Sequence, residues 1–344
     1  MRAVVINEPG SVDVMKLQDI NKPRASGSDV LVKVHACGIC HHDLLVRDGT
    51  LKRGISMPLI LGHEVSGEVV EVGESVQKIK VGDRVAGSWY HVCGRCRYCR
   101  FGMEQFCSEA ELLGDRNLNG GYADYVLIGE ETVACVPDNV SFEEAAVATC
   151  ALGTALHAVK YVGEVKVGDT VLVTGASGGV GIHALQLAKI AGAYVIAHTT
   201  SEVKREKLLA YGAEVVIRTD PGEDFSPDVR KATCGSGVDV VIDNVGTPVF
   251  KSVLRCLHPG GKWVMVGQVT GAFVGFNPAQ LFLRGINMLS VMGTTRYQLE
   301  EALRLVSNKT VTPVIDSVFP LDKVHDAHHK LESTNVIGRI LLLI

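Results

Sequence analysis

The sequence predicts an α/β protein of two domains, one mainly β and one built on a doubly wound parallel sheet. A chain of 344 residues is longer than one typical hydrophobic core accommodates, and its length suits two domains. Valine-rich runs bounded by glycine, proline and aspartate, at 30–34, 67–73 and 81–85, are typical of antiparallel strands. From about residue 150, apolar strands alternate with helical patterns, which indicates βαβ units and a parallel sheet.

The βαβ pattern can be placed along the chain. Four runs are apolar and short enough to be buried strands, and two segments between them have apolar residues at helical spacing. The predicted strands are 171–174, 194–197, 238–242 and 263–266, and the predicted helices are 182–191 and 201–211.

The last segment of the chain is assigned to the first domain. An amphipathic helix at 298–307 and an apolar strand at 339–344 resemble no further βαβ unit. The parallel-sheet domain is then an insertion in the other domain. The predicted bounds are 1–151 with 296–344 for the mainly β domain, and 152–295 for the parallel-sheet domain.

Charge and hydropathy exclude several partners. The formal net charge is −4 and no basic run occurs, so neither nucleic acid nor an anionic membrane is expected to bind. The apolar run at 1–6 is too short for a signal peptide, and no uninterrupted apolar stretch approaches a membrane span. We therefore expect a cytoplasmic protein.

A glycine-rich turn separates the first strand and the first helix of the parallel-sheet domain. Glycine lets the backbone turn tightly and approach a pyrophosphate, which the free N–H groups of the helix N-terminus can bind. The alternative is a plain strand-to-helix turn, which the flanking pattern disfavours. The predicted dinucleotide-binding residues here are Gly175, Ser177, Gly178, Gly179, Val180 and Gly181.

The end of the second strand favours NADP(H) over NAD(H). A carboxylate there would bind the ribose hydroxyls and repel a 2′-phosphate, but none occurs before Glu202. The alternative is a capped helix with exposed basic residues. The predicted phosphate-binding residues are Thr200, Ser201, Lys204 and Arg205.

Four cysteines fall in one short segment, at about residues 90–110. Cys93, Cys96, Cys99 and Cys107 offer four thiolates on a looped segment, which suits a closed, structural zinc site. An iron–sulfur cluster is the alternative. Disulfides are disfavoured in the cytoplasm.

A second set of metal ligands is dispersed along the chain. Each of Cys40, His63 and Cys150 is a weak signal alone. Together they would offer two thiolates and one imidazole, and they would leave the fourth zinc position open. A zinc ion in such a site acts as a Lewis acid on a substrate oxygen.

Several segments together resemble the zinc-containing medium-chain alcohol dehydrogenases along nearly the whole chain. The matching segments are residues 40–43, 62–67, 81–85 and 120–125, the four-cysteine lobe and the glycine-rich turn. The resemblance implies a GroES-like catalytic domain, a Rossmann domain, one catalytic and one structural zinc ion, and a homodimer or homotetramer.

The resemblance also implies roles for individual residues. Cys40, His63 and Cys150 are the expected ligands of the catalytic zinc, with Glu64 beside the metal. Asp43 corresponds to the carboxylate that orients the ligand histidine. The further cofactor-binding residues that it implies are His41, Thr154, Asn244, Val245, Gly246, Val266, Gly267, Gly293 and Thr294.

Two features depart from the family pattern. His42 stands where the family has a serine or threonine that starts a proton relay. A histidine can relay a proton, but its larger ring narrows the substrate pocket. The glycine-rich turn is one residue longer than usual and is similar to that of the quinone and enoyl reductase branch.

The sequence is therefore compatible with three functions. The first is a zinc-dependent oxidoreductase that transfers a hydride between NADP(H) and a small alcohol, aldehyde or ketone, with His42, Asp43 and Glu64 as catalytic residues. The second is an NADPH-dependent reductase of an activated C=C bond in a quinone, enone or acryloyl thioester. The third is a non-enzymatic protein that binds NADP and zinc.

Overall fold

Two compact units make up the fold in the computed structural model, which describes residues 1–52, 54–115 and 118–344. Met1–Gly153 and Gly293–Ile344 form the first, here called the β unit. Thr154–Met292 forms the second, here called the parallel-sheet unit. The predicted domain boundaries, after residues 151 and 295, lie a few residues from these limits.

Strands dominate the β unit, and they alternate with helices in the parallel-sheet unit. Within the described residues there are eighteen strands in chain order: β1 Arg2–Ile6, β2 Met15–Asp19, β3 Asp29–Ile39, β4 Leu59–Ile60, β5 Glu64–Val72, β6 Arg84–Gly87, β7 Tyr90–His91, β8 Glu111–Leu112, β9 Tyr125–Gly129, β10 Val133–Cys135, β11 Thr170–Thr174, β12 Tyr194–Thr199, β13 Val215–Arg218, β14 Val238–Asp243, β15 Leu257–Met265, β16 Asn287–Ser290, β17 Ile315–Pro320 and β18 Arg339–Leu343.

Helices of three kinds connect these strands. The α-helices are α1 His41–Arg47, α2 Arg97–Arg100, α3 Phe142–Val147, α4 Gly153–Leu156, α5 Gly179–Ile190, α6 Arg205–Ala210, α7 Ser226–Ala232, α8 Phe250–Cys256, α9 Ala279–Phe282, α10 Arg296–Ser307 and α11 Val324–Glu332. Two segments are π-helical, Ala148–Leu152 and His157–Val162. Short 3₁₀ helices are Val12–Val14, Glu104–Phe106, Glu130–Thr132, Glu202–Lys204, Thr247–Val249 and Leu321–Lys323.

The β unit contains a seven-stranded sheet in the order β10-β6-β5-β3-β18-β17, with β9 also paired to β3. β3 pairs antiparallel with β5, β9 and β18. Valines alternate along β3 and β5 and fill one hydrophobic core with Ile6, Leu61 and Tyr122. β18 lies directly beside β3, so the C-terminal strand belongs to this unit.

One predicted strand of the β unit begins later than expected. The prediction placed it at 81–85, but β6 starts at Arg84 and the preceding residues form a turn. Gly82 has φ of +91° and donates its N–H to the Val69 carbonyl oxygen at 2.8 Å. Left-handed backbone at a glycine ends strand pairing there, and Val81 is left exposed.

The parallel-sheet unit has six strands in the order β13-β12-β11-β14-β15-β16, and every pair is parallel. This is the doubly wound order of a Rossmann fold, whose strand order reverses between β11 and β14. Ligands of such sheets bind at the carboxyl ends of the strands, at that reversal. The predicted α/β class with a doubly wound parallel sheet beside a mainly β domain is therefore confirmed.

One helical stretch, Phe142–Val162, is long and apolar enough to cross a membrane by length and composition. Glu143, Glu144 and Lys160 interrupt it, which agrees with the prediction that no uninterrupted apolar stretch approaches a membrane span. Most of the stretch is buried inside the protein, as the core helix of a folded domain is.

Close packing at the glycine-rich turn gives a stability prediction. A Cβ on Gly181 would lie 2.3 Å from the Gly175 carbonyl oxygen, whereas a Cβ on Gly275 would meet nothing within 4 Å. Because the turn must shift, we expect Gly181→Ala to lower the free energy of unfolding by about 1–3 kcal/mol. Urea unfolding measures it, with Gly275→Ala as the control, and equal midpoints for the two variants would contradict the packing argument.

Candidate active site and metal centres

The motif at residues 40–43 lies where a strand turns into a helix. Cys40 follows β3 and is the N-cap of α1, with extended backbone angles. The Asp43 carboxylate accepts a hydrogen bond from the Cys40 backbone N–H at 2.7 Å. An acidic side chain in the first turn pairs an N–H that the helix itself leaves unpaired. The local sequence thus fixes the Cys40 thiol and the Asp43 carboxylate at one helix end.

His63 lies directly before β5 and is positioned by a glycine. Gly62 has φ of +96°, and a Cβ there would lie 2.4 Å from Tyr122 Cδ1. Glycine alone accepts both the conformation and the contact. The His63 ring that follows is buried, with 2% of its surface exposed.

Cys150 is supplied by the π-helical segment Ala148–Leu152. A π-bulge inserts one residue into a helix and is frequent at functional sites. The segment precedes α4 and packs against α10 within the β unit. The widened turn therefore presents the Cys150 thiol from an otherwise apolar helix.

These three segments bring four metal-binding side chains together. One ligand atom from each of Cys40, His63, Glu64 and Cys150 lies within 4.8 Å of all the others. His63 Nδ1 is 3.4 Å from the Asp43 carboxylate, so its Nε2 atom is left for the cluster. Donor atoms this close, two soft thiols and a nitrogen among them, fit a single zinc ion.

A buried cation balances the negative charge of the cluster. Arg339, on β18, has a guanidinium nitrogen 2.9 Å from Glu64 Oε1 and donates to the Ile39 carbonyl oxygen at 3.2 Å. Both side chains of the pair are almost fully buried. A buried carboxylate beside two thiols needs such a partner, because an unpaired charge in the core is costly.

The pKa values of the cluster side chains reflect their burial and their charged neighbours. Burial lowers the pKa of His63, but Asp43 and Cys40 more than offset it and leave the pKa well above its usual value. A hydrogen bond from Cys150 holds the pKa of Cys40 well below its usual value, against the effect of burial. Burial raises the pKa of Glu64 to about 7, although Arg339 opposes it. These directions favour a Cys40 thiolate beside a His63 imidazolium.

His42 lies beside the cluster and has its own partner. Its Nε2 atom is 3.0 Å from the carboxylate of the buried Asp115. The His42 ring meets Trp89 edge-on at 4.9 Å and His63 edge-on at 5.6 Å between ring centroids. Two large rings therefore border the metal-binding group on this side.

The four-cysteine lobe forms a second cluster. All four sulfur atoms, from Cys93, Cys96, Cys99 and Cys107, lie within 4.8 Å of one another. Cys96 and Cys99 sulfurs are 3.5 Å apart, and those of Cys93 and Cys107 are 3.6 Å apart. Four sulfurs at ~2.3 Å from one zinc ion are separated by about 3.8 Å, so the lobe fits a tetrahedral ion. All ten cysteines lie in the described ranges, and none of them forms a disulfide.

The glycine-rich turn joins β11 to α5 with a buried lysine above it. Gly175 has φ of +55°, and the helix begins at Gly179. Lys204, only 6% exposed, donates from Nζ to Ser177 Oγ at 3.1 Å. A cation is therefore fixed over the turn that is predicted to hold the pyrophosphate.

A buried aspartate organises the neighbouring turn at the carboxyl ends of β11 and β14. Asp243 accepts hydrogen bonds from Thr174 Oγ1 at 2.6 Å and from the N–H groups of Val245 and Gly246 at 3.1 Å. The Val266 N–H donates to the Asp243 carbonyl oxygen at 2.8 Å. A cavity of about 390 Å³ opens here, with Gly246, Val266 and Gly267 in its lining.

Other predicted cofactor residues are dispersed over both units. Thr200 and Ser201 directly follow β12, and Arg205 pairs with Glu202 while donating to the Val216 carbonyl oxygen at 2.8 Å. The remaining residues are Asn244, which donates to the Thr174 carbonyl oxygen, Thr154 at the start of the parallel-sheet unit, His41 on α1, and Gly293 and Thr294 where the β unit resumes. Their roles stay predictions.

Comparison with known proteins gives the family. Residues 26–138 match the family described as "Alcohol dehydrogenase GroES-like domain", and residues 179–308 match "Zinc-binding dehydrogenase". The acryloyl-coenzyme A reductase of Sulfurisphaera tokodaii is 33% identical over 99% of both chains. An alcohol dehydrogenase of Geobacillus stearothermophilus is 34% identical over 95% of this chain and 96% of its own. The crystal structure of AibC is 41% identical and superposes with a TM-score of 0.91, covering 100% of this chain and 95% of its own.

The chain belongs to the zinc-containing medium-chain dehydrogenase/reductase family. This member of the family is therefore an oxidoreductase that uses zinc, a nicotinamide dinucleotide and a small-molecule substrate. The relatives are named as enzymes, which argues against the non-enzymatic alternative.

Sequence reasoning missed two side chains that this dehydrogenase/reductase places at the cluster. Asp115 lies 73 positions from His42, and Arg339 reaches Ile39 across 300 positions. Neither residue stands in a recognisable motif, because sheet pairing and a loop bring them to the site. Trp89 also borders the cluster, with its ring centroid 5.4 Å from that of His63.

The two clusters give a prediction for metal content. We expect two zinc ions per wild-type chain, and about one in Cys99→Ser, because three remaining sulfurs hold the lobe ion weakly. Cys135→Ser, at an exposed cysteine outside both clusters, should keep both ions. Plasma emission analysis after dialysis measures the ratio, and an unchanged ratio in Cys99→Ser would count against a lobe ion.

Proposed function

We propose that the protein exchanges a hydride between NADP(H) and a small alcohol, aldehyde or ketone at a zinc site in the β unit. The observation that carries the proposal is the convergence of Cys40, His63 and Cys150 within 4.8 Å beside His42. Three protein ligands leave one position for substrate, which distinguishes a catalytic zinc site from the closed four-cysteine lobe.

Three side chains hold the ion and two carboxylates support them. Cys40, Cys150 and His63 Nε2 are the proposed ligands, and Asp43 fixes the His63 ring through Nδ1. Glu64 lies beside the ion, with its charge balanced by Arg339. A zinc ion bound there supplies Lewis acidity toward a substrate oxygen.

His42 is the proposed proton carrier. Its Nε2 atom faces an Asp115 carboxylate oxygen at 3.0 Å. Because a carboxylate oxygen accepts, Nε2 holds the ring hydrogen and the lone pair lies on Nδ1. In alcohol oxidation, Nδ1 takes the hydroxyl proton, and Asp115 stabilises the imidazolium that results. In carbonyl reduction, Nδ1–H returns the proton to the oxygen.

The end of β12 supports NADP(H) as the dinucleotide. No carboxylate stands between His198 and Ser201, and Lys204 is fixed 3.1 Å from Ser177 Oγ in the glycine-rich turn. A buried ammonium five residues after β12 attracts phosphate, and no carboxylate at the end of that strand repels the 2′-phosphate of NADP(H). When bound, the dinucleotide supplies the hydride chemistry.

A second candidate function is NADPH-dependent reduction of an activated C=C bond. Two relatives named acryloyl-coenzyme A reductase are 33% and 34% identical over 99% of this chain. The His42 and Trp89 rings, 4.9 Å apart, also narrow the approach to the metal ligands. Both observations favour a substrate that can accept a hydride at a C=C carbon without binding an oxygen atom to zinc.

Cys150→Ala separates the two candidates. We expect it to lower kcat/KM for alcohols and ketones about 100-fold or more, because an incomplete ligand set loses several kcal/mol of charge stabilisation. Cys256→Ala, at a buried thiol outside both clusters, is the control. A panel of alcohols, ketones, enones and acryloyl thioesters is assayed with NADPH and NADH. Full activity of Cys150→Ala on enones, with no ketone turnover by wild type, would instead establish the second candidate.

Lys204→Ala tests the dinucleotide. A charge-assisted hydrogen bond to phosphate contributes about 1.5–3 kcal/mol, so KM for NADPH should rise roughly 10- to 100-fold while KM for NADH changes little. Lys207→Ala, at an exposed lysine one turn further along, is the matched control. Equal changes with both dinucleotides would argue against phosphate recognition by Lys204.

We further propose that the chain forms homodimers or homotetramers in the cytoplasm. Phe273, Phe282 and Leu283 are largely exposed, and they precede β16, the edge strand of the parallel sheet, along the chain. Large exposed apolar side chains and an unpaired sheet edge are both typical of surfaces that associate. Sedimentation velocity gives the assembly size.

A further inference from the structure

A row of polar side chains, buried except for Glu332 at its outer end, leads to Asp43. Tyr122 Oη lies 3.2 Å from Asp43 Oδ2 and 3.3 Å from His328 Nε2. Arg47 Nη1 lies 3.3 Å from His328 Nδ1, and Arg47 Nη2 lies 2.5 Å from Glu332 Oε1. The row crosses the β unit from α11, through the end of α1, to the metal site.

The direction of each hydrogen bond in the row follows from its donors. Arginine can only donate, so His328 Nδ1 accepts from Arg47. A neutral imidazole that accepts at Nδ1 carries its hydrogen on Nε2, which therefore donates to Tyr122 Oη. The Tyr122 hydroxyl hydrogen is then directed to the Asp43 carboxylate, which can only accept. The three bonds from Arg47 through His328 and Tyr122 thus run toward Asp43, whereas Arg47 Nη2 donates in the other direction, to Glu332.

Burial keeps the two central members in these states. His328 is fully buried, and burial lowers its pKa to about 4, so the imidazole is neutral at neutral pH. Burial also raises the pKa of the Tyr122 hydroxyl well above its usual value, which keeps it a donor. The direction of these hydrogen bonds is thus determined by burial in the fold.

The row determines which oxygen of Asp43 faces the ligand histidine. Oδ2 accepts from the Cys40 N–H at 2.7 Å and from Tyr122 Oη. Oδ1 lies 3.4 Å from His63 Nδ1, and it has no other partner among the residues that the structure describes. With Oδ2 held from two sides, the carboxylate cannot rotate Oδ1 away from His63.

Core packing alone gives no reason for such a row. Tyr122 packs in an apolar core with Leu44, Val46 and Ala327. Polar groups buried there cost free energy unless every bond is made, and apolar side chains of similar size would avoid that cost. A row that ends on the carboxylate of the metal site is better explained by what it does to that carboxylate.

We propose that Tyr122 and His328 are positioning residues for the metal site: they lock the Asp43 carboxylate so that it fixes the His63 ring with Nε2 toward the metal. The proposal rests on the proposed function, since it requires an ion at Cys40, His63 and Cys150. Groups that orient a metal-binding histidine change metal affinity about 10- to 100-fold when removed.

The test measures metal retention. Zinc release from wild type, Tyr122→Phe and His328→Leu to a chromogenic chelator is followed in time, with the four-cysteine lobe as an internal reference. We expect the open site to release zinc about 10- to 100-fold faster in both variants and the lobe to be unaffected. Tyr125→Phe is the matched control, because its ring lies under Lys22 at 4.0 Å and not on Asp43.

A conservative variant distinguishes positioning from general stability. Glutamine at residue 328 can accept from Arg47 and donate to Tyr122, so His328→Gln should restore retention to within about threefold of wild type. Cobalt substituted into the open site gives a second readout, since its visible absorption reports ligand geometry. Changed spectra in Tyr122→Phe and His328→Leu, with wild-type spectra in His328→Gln, would support the proposal.

Three results would overturn it. Equal zinc release by Tyr122→Phe and Tyr125→Phe would show that the row does not act on the ligands. Equal losses in His328→Gln and His328→Leu, with lowered melting temperatures in both, would assign the row to stability alone. A wild-type chain that takes no ion at the open site would fail the proposed function, and the positioning role would fall with it.

Discussion

The chemistry depends on the meeting of two thiols and one imidazole from three separated segments of the β unit. Cys40 comes from a helix N-terminus, His63 from the start of a strand and Cys150 from a π-helical turn. No one of these elements could bind zinc alone, so the ligand geometry is a product of the folded sheet. Stability of the β unit and competence of the site are therefore coupled.

Charge balance explains why the site can be buried. Glu64 and Asp43 both lie fully inside the protein, next to thiols that become anionic when they bind a metal. Arg339 and His63 provide the compensating groups, one through a guanidinium and the other through a ring held by Asp43. This arrangement keeps the metal-binding atoms in a low-dielectric region, where a Lewis acid acts most strongly on a bound oxygen.

Sequence reasoning succeeded where the signal is local. The four-cysteine lobe and the glycine-rich turn each lie in one short segment, and the alternation of strands and helices gave the doubly wound sheet. Sequence reasoning failed where contacts between residues far apart in the sequence determine the site. Asp115 and Arg339 reach the site across 73 and 300 positions. His328 is 206 positions from Tyr122, and no motif marks it. The turn at Gly82 was read as strand because valine alternation continues through it.

Anomalous diffraction at the zinc edge, from crystals of the metal-loaded protein, tests the central claim most directly. The account predicts two peaks per chain, one inside the four-cysteine lobe and one bound by the sulfurs of Cys40 and Cys150 and the imidazole of His63. A single peak in the lobe, with those three side chains bound to no ion at full zinc loading, would contradict it.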